Sequence, residues 1–118
     1  MTDEKPEHPR AIAKLKREMS SLFHDYFHTL VDTAGVDLPE YDLPREAVSL
    51  SFVIAAVLQM PVTDRQALLE TRITEERFLM ERAVLEQQIR MLHDMPRKQA
   101  QRATRLNVRP LIDELSRN

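Results

Sequence analysis

Cysteine is absent from this sequence, which removes disulfide staples, thiolate metal sites and cysteine nucleophiles together. Tryptophan is absent as well and aromatics are 5% of residues, so a core must be built from Leu, Ile, Val, Met and Ala. Glycine occurs once, at Gly35, among 118 residues. Hairpin turns lean on Gly, Asn and Asp at positive φ, so this scarcity argues against a sheet-rich fold and against a glycine-rich phosphate loop. Neither charge sign is in large excess: the formal net charge is −2 and the pI about 6.1, leaving no overall field to draw the chain to nucleic acid or an anionic membrane. The longest apolar stretch, residues 47–60, falls short of the ~20 residues a membrane span needs. The first residues are polar and carry no apolar signal core, so the expected location is the cytoplasm, with no membrane partner.

What remains is helical periodicity punctuated by proline. The seven prolines stand at positions 6, 9, 39, 44, 61, 96 and 110, between or at the starts of the apolar runs. Residues 1–8 read as a disordered lead-in. From Pro9 onward, Ile12, Leu15, Met19, Leu22, Tyr26 and Leu30 recur every three or four residues and lay out a long amphipathic first helix, widened by Phe23 and Phe27. Gly35 is its expected left-handed terminus. Residues 36–44 form a connector with two X-Pro steps. Residues 45–59 are apolar on nearly every side, which predicts a central core helix. A third, short helix over 64–70 is expected to start from a Thr63/Gln66 capping box, and a long fourth helix from Thr74 as N-cap. On that fourth helix Phe78, Leu85, Ile89 and Leu92 make one stripe, and Met80, Ala83, Val84 and Met91 a second on the opposite side. The expectation is an all-α bundle of about four helices over 9–95, the first and fourth long. Residues 96–118 are a basic tail, with one short helical turn from Pro110.

Few constellations carry chemistry. His24 and His28 stand four apart with Asp25 between them, a spacing that can grip one metal ion, but no third ligand is marked and a solvated helix face is the simpler reading. The pairs Arg77/Glu81 and Glu86/Arg90 read as surface ion pairs. Neither G-x-S-x-G nor H-E-x-x-H occurs, so no catalytic residue, cofactor or metal is assigned. The tail gathers Arg97, Lys98, Arg102, Arg105 and Arg109 with no acidic residue among them, a candidate anion-binding stretch. No aromatic is interleaved for base stacking, so nucleic acid is the weaker partner and an acidic surface the alternative.

The stretch SLSFVIAAVLQMPVTDRQALLETRITEERFLMERAVLEQQIRML, residues 49–92, resembles the helical half of the substrate-binding amino-terminal domain of the Lon ATP-dependent protease and of free-standing LON-domain proteins. An apolar helix ends at a Met60-Pro61 step. A short R-Q-x-L-L-E helix follows, carried by Arg65, Gln66, Leu68, Leu69 and Glu70. A long helix then opens on Glu76, Arg77 and Phe78. The preceding helix is similar to the family's L-x-R-E-x-x-x-L-F-x-x-Y helix in Leu15, Arg17, Glu18, Leu22, Phe23 and Tyr26. The resemblance covers about residues 9–95 and departs from the family in lacking its β-barrel half, its ATPase and its protease. It implies a non-catalytic module that captures unfolded or tagged polypeptides for proteolysis or quality control. Phe23, Phe27, Phe52 and Met80 are the expected gripping residues, each with core packing as its simpler alternative. A partner β-barrel half, or self-association into a homo-oligomer that hides surplus apolar faces, is the rival expectation.

Overall fold

The computed structural model describes residues 9–115, and the expected lead-in at 1–8 lies outside them. Five helices and no strand occupy the described residues: α1 (Pro9–Ala34), α2 (Ala47–Val57), α3 (Val62–Glu70), α4 (Thr74–Asp94) and α5 (Arg97–Leu115). The all-α bundle expected from composition is what forms, with one helix more than the pattern suggested. No described helix is long and apolar enough to cross a membrane.

The 26 residues of α1 extend over roughly 39 Å at about 1.5 Å per residue, and they set the molecule's 45 Å long dimension. Its terminus is the predicted one. Gly35 takes φ +74°, its N–H reaches the Asp32 carbonyl at 3.1 Å, and the Val36 N–H reaches the Val31 carbonyl at 3.2 Å, closing the last turn in the manner of a Schellman motif. Met19, Phe23, Tyr26, Phe27, Leu30 and Val31 are all buried on this helix. It packs on α2, α4 and α5 at once, so α1, not α2, is the central helix. Helix α2 is too short, at 11 residues, to organise the rest, although only Ser49 and Ala56 on it are exposed.

Two expected caps do not form. Pro61, fixed near φ −57°, takes the N-cap position of α3 and its carbonyl accepts the Arg65 N–H at 3.0 Å, so Thr63 falls inside the first turn instead of at its edge. In the same way Ile73 is the N-cap of α4 and its carbonyl accepts the Arg77 N–H at 3.0 Å, leaving Thr74 as the first helical residue.

The largest departure is at the C-terminal end. The span expected as a basic tail with one short turn is a 19-residue helix that runs through Pro110 and packs along α1. Ala100, Thr104, Val108, Leu111 and Leu115 recur at spacings of four, four, three and four and are buried. Pro110 removes one backbone donor, that for the Leu106 carbonyl, and the packed stripe on either side holds the helix across it.

Candidate functional site

Helices α4 and α5 both lie on α1 and barely touch each other. Between them runs a groove of about 370 Å³ whose floor is Tyr26 and Leu30 of α1. One wall is Val84, Gln87, Met91 and Leu92 of α4; the other is Ala103, Thr104 and Asn107 of α5. Met95 closes one part of it, and Met60 and Pro61 of the α2–α3 connector another. The connector is tied in place from two sides: the Gln88 amide donates to the Gln59 carbonyl, and the Arg65 guanidinium donates to the Leu58 carbonyl. Met60 is thereby presented at the groove by a fixed backbone.

Three methionines and a valine, with no charged side chain but Asp64, give the groove an apolar and adaptable lining. Met91 keeps 48% of its surface exposed. Tyr26 is 2% exposed, and its hydroxyl has no hydrogen-bond partner among the described residues. Burial pushes its pKa up to about 12, so the hydroxyl stays a neutral donor at physiological pH. An apolar trough with one unspent donor at its floor suits a chain of apolar side chains interrupted by amide carbonyls.

The expected gripping residues are distributed differently. Phe23 and Phe27 have no exposed surface; they pack beside Tyr26 and Tyr41 in the core, because the α1 stripe they widen is the face on which the bundle closes. Neither is available to a partner, so core packing is the correct reading for both. Phe52 is half-buried on α2, its ring under the Arg77 guanidinium at 4.1 Å. Met80 is 40% exposed, near Thr71 and away from the groove lining. Sequence reasoning did place Val84 and Met91 on a second α4 stripe, and these two of its four residues border the groove. Met60, Met95 and the α5 wall were missed, since their approach depends on a tertiary arrangement that no local spacing encodes.

The Arg77/Glu81 pair is not on the surface. Both residues are fully buried between α2 and α4. The Arg77 Nε donates to Ser51 Oγ at 2.7 Å, Ser51 Oγ donates to Glu81 Oε1 at 3.1 Å, and an Arg77 terminal nitrogen donates to the Thr71 carbonyl at 2.6 Å. Glu81 Oε2 has no partner. Desolvation pushes the Glu81 pKa up to about 9 against the opposing pull of the Ser51 hydrogen bond and the Arg77 charge. The sequence held a signal for this: Arg77 and Glu81 share a stripe with Phe78 and Leu85, all four spaced by three, four or one on the helix.

His24 and His28 line a wider, more open trough on the other flank of α4, with Asp25, Glu86 and His93. His24 bonds to the Tyr41 hydroxyl. Among the described residues no group of three or more His, Asp or Glu is placed to share a metal ion. Lys98, Arg102 and Arg109 are exposed and have no ion-pair partner among the described residues; Arg105 donates to the Ala34 carbonyl at 3.3 Å and so closes the end of α1. Arg97 stands apart, at the start of α5 beside Asp32 and His93.

Comparison of the chain with known protein families, with curated proteins and with solved structures finds no match.

Proposed function

We propose that this protein is a non-catalytic module that binds an apolar segment of another polypeptide in the methionine-lined groove between α4 and α5. The observation that carries the reading is the groove itself: flexible, polarisable thioethers from the α2–α3 connector and from α4 with its C-cap, around the unspent Tyr26 hydroxyl. Such a surface accepts many apolar side chains with little penalty for shape, as a receptor for unfolded clients must. The hydroxyl can donate to a client carbonyl that would otherwise be desolvated without a partner. Most of the lining, from Gln59 to Leu92, falls within the 49–92 stretch that resembles the Lon substrate-binding domain, which is consistent with client capture for proteolysis or quality control.

The test is light scattering by a reduced, carboxymethylated model polypeptide as it aggregates. The native protein suppresses aggregation at stoichiometric ratios and Met91→Glu does not; failure of the native protein to suppress it sinks the reading. Sedimentation equilibrium is the companion measurement, because a homodimer closed over the groove would bury the same methionines and leave no site for a client.

A further inference from the structure

The exposed half of α5 presents two unlike borders. On one side Ala103 and Asn107 descend into the groove. On the other, Lys98, Arg102, Arg105 and Arg109 follow one another at spacings of four, three and four, which places them in a single line along the helix. Eleven residues at about 1.5 Å each make this line roughly 16 Å long. Leu106 sits on the crest between the two borders and is 79% exposed. Asp113 is the first acidic residue after the start of α5, so nothing on the helix itself neutralises the line over its first four turns. The chain as a whole is slightly acidic, which makes this a local positive edge and not part of a general basic field.

We infer that the partner of the groove is an amphipathic segment with acidic residues along one border, which seats apolar side chains among Met60, Met91 and Met95, crosses Leu106, and sets its carboxylates against Lys98, Arg102 and Arg109. This rests on the groove reading and adds the partner's chemistry to it. A helix with its side chains is about 10 Å across, a width that an arginine or lysine on one side and a glutamate on the other can span between them. Charge selects the partner and its orientation, while burial in the groove supplies the hold. A nucleic acid would meet the line of cations but has no use for Leu106 or for a methionine-lined trough, and no aromatic stands beside the cations to stack a base.

A random peptide display library selected on the intact protein tests this. The enriched peptides are expected to carry apolar residues at helical spacing and a clear excess of Asp and Glu. For a representative acidic peptide, measured by fluorescence anisotropy, the triple variant Lys98→Glu/Arg102→Glu/Arg109→Glu should weaken binding by about tenfold at low salt, an effect that added salt erodes. Arg105 is left intact because it closes α1. Met91→Glu should abolish binding of the same peptide. Enrichment of neutral or basic apolar peptides, unaffected by the triple variant yet lost with Met91→Glu, would overturn the inference and leave the groove reading standing. Binding lost with the triple variant but kept by Met91→Glu, or a preference for duplex nucleic acid over every acidic peptide, would overturn the inference by detaching the cations from the groove. Failure to enrich any peptide overturns both.

Discussion

The two flanks of α4 invert the usual arrangement of a small bundle. Toward α2 the helix buries an arginine and a glutamate, Arg77 and Glu81, with Ser51 in a closed and nearly satisfied network. Toward α5 it leaves Val84, Met91 and its C-cap Met95 beside an open groove. A contact meant only for stability would place these the other way round, because buried ionisable groups carry a heavy desolvation cost and exposed methionines forgo burial. The closed flank fixes one arrangement of α2 against α4 through directional bonds. On the open flank α4 and α5 barely touch and burial is incomplete, as the proposed binding surface requires.

The strongest way to break the contrast is to empty the closed flank. Arg77→Ala leaves the Ser51 hydroxyl and the Thr71 carbonyl without their donor and opens a cavity over the Phe52 ring, and it should cost about 3–5 kcal/mol in urea denaturation. A loss within ~1 kcal/mol would mean the network is replaceable packing.

Titration sharpens the same flank. Folded Glu81 keeps its proton to about 9, whereas the unfolded carboxyl releases it near the model value of 4.5. Between these pH values the folded chain holds more protons than the unfolded one, so stability from this group is complete below the lower value and is lost as pH rises toward the upper, with a limiting slope of about 1.4 kcal/mol per pH unit. Glu81→Gln removes the titration. It should therefore gain on the native protein in chemical denaturation at each step from pH 5 to pH 8; parallel curves would show that the carboxyl is ionised in the fold.

On the open flank the expected effects on stability are small and those on binding large. Met91→Glu places a charge at a half-exposed position and should shift stability by no more than about 0.5 kcal/mol while ending client binding. Tyr26→Phe removes only the hydroxyl, and should leave the fold in place and weaken client binding by several-fold, consistent with about 1 kcal/mol for one hydrogen bond. The smallest effect belongs to Arg82, which bridges Glu18 at 3.6 Å and Glu86 at 3.7 Å on the surface: Arg82→Ala should cost less than about 1 kcal/mol, and that little should vanish in high salt.

Much of this architecture was legible in the residues. The three-and-four spacing of Ile12 to Leu30 gave α1, Gly35 gave its end, and the Met60-Pro61 break separated α2 from α3. Helix α5 was obscured by its own charge: five basic residues and Pro110 drew attention from the Ala100, Thr104, Val108 and Leu111 stripe beneath them. The central position of α1 was hidden because uniform apolarity in α2 imitates centrality, while length decides which helix can pack on three others at once. Burial of Arg77 and Glu81 was misread because an opposite-charge pair four apart looks the same on a surface and in an interface; their neighbours Phe78 and Leu85 were the distinguishing mark. The groove was half legible, through the second stripe of α4. Its other half comes from α1, α5 and the connector, and the approach of those segments is set by packing alone.

The central claim is that the open flank of α4 receives a polypeptide. Methyl resonances of the methionines test it directly, because Met60, Met91 and Met95 line the groove whereas Met19 has no exposed surface and serves as an internal reference. On titration with a reduced, carboxymethylated polypeptide, the account predicts that the Met60, Met91 and Met95 signals shift together and saturably while Met19 stays fixed. Groove methionines that remain unmoved at saturating polypeptide, or that shift no more than Met19, would contradict it.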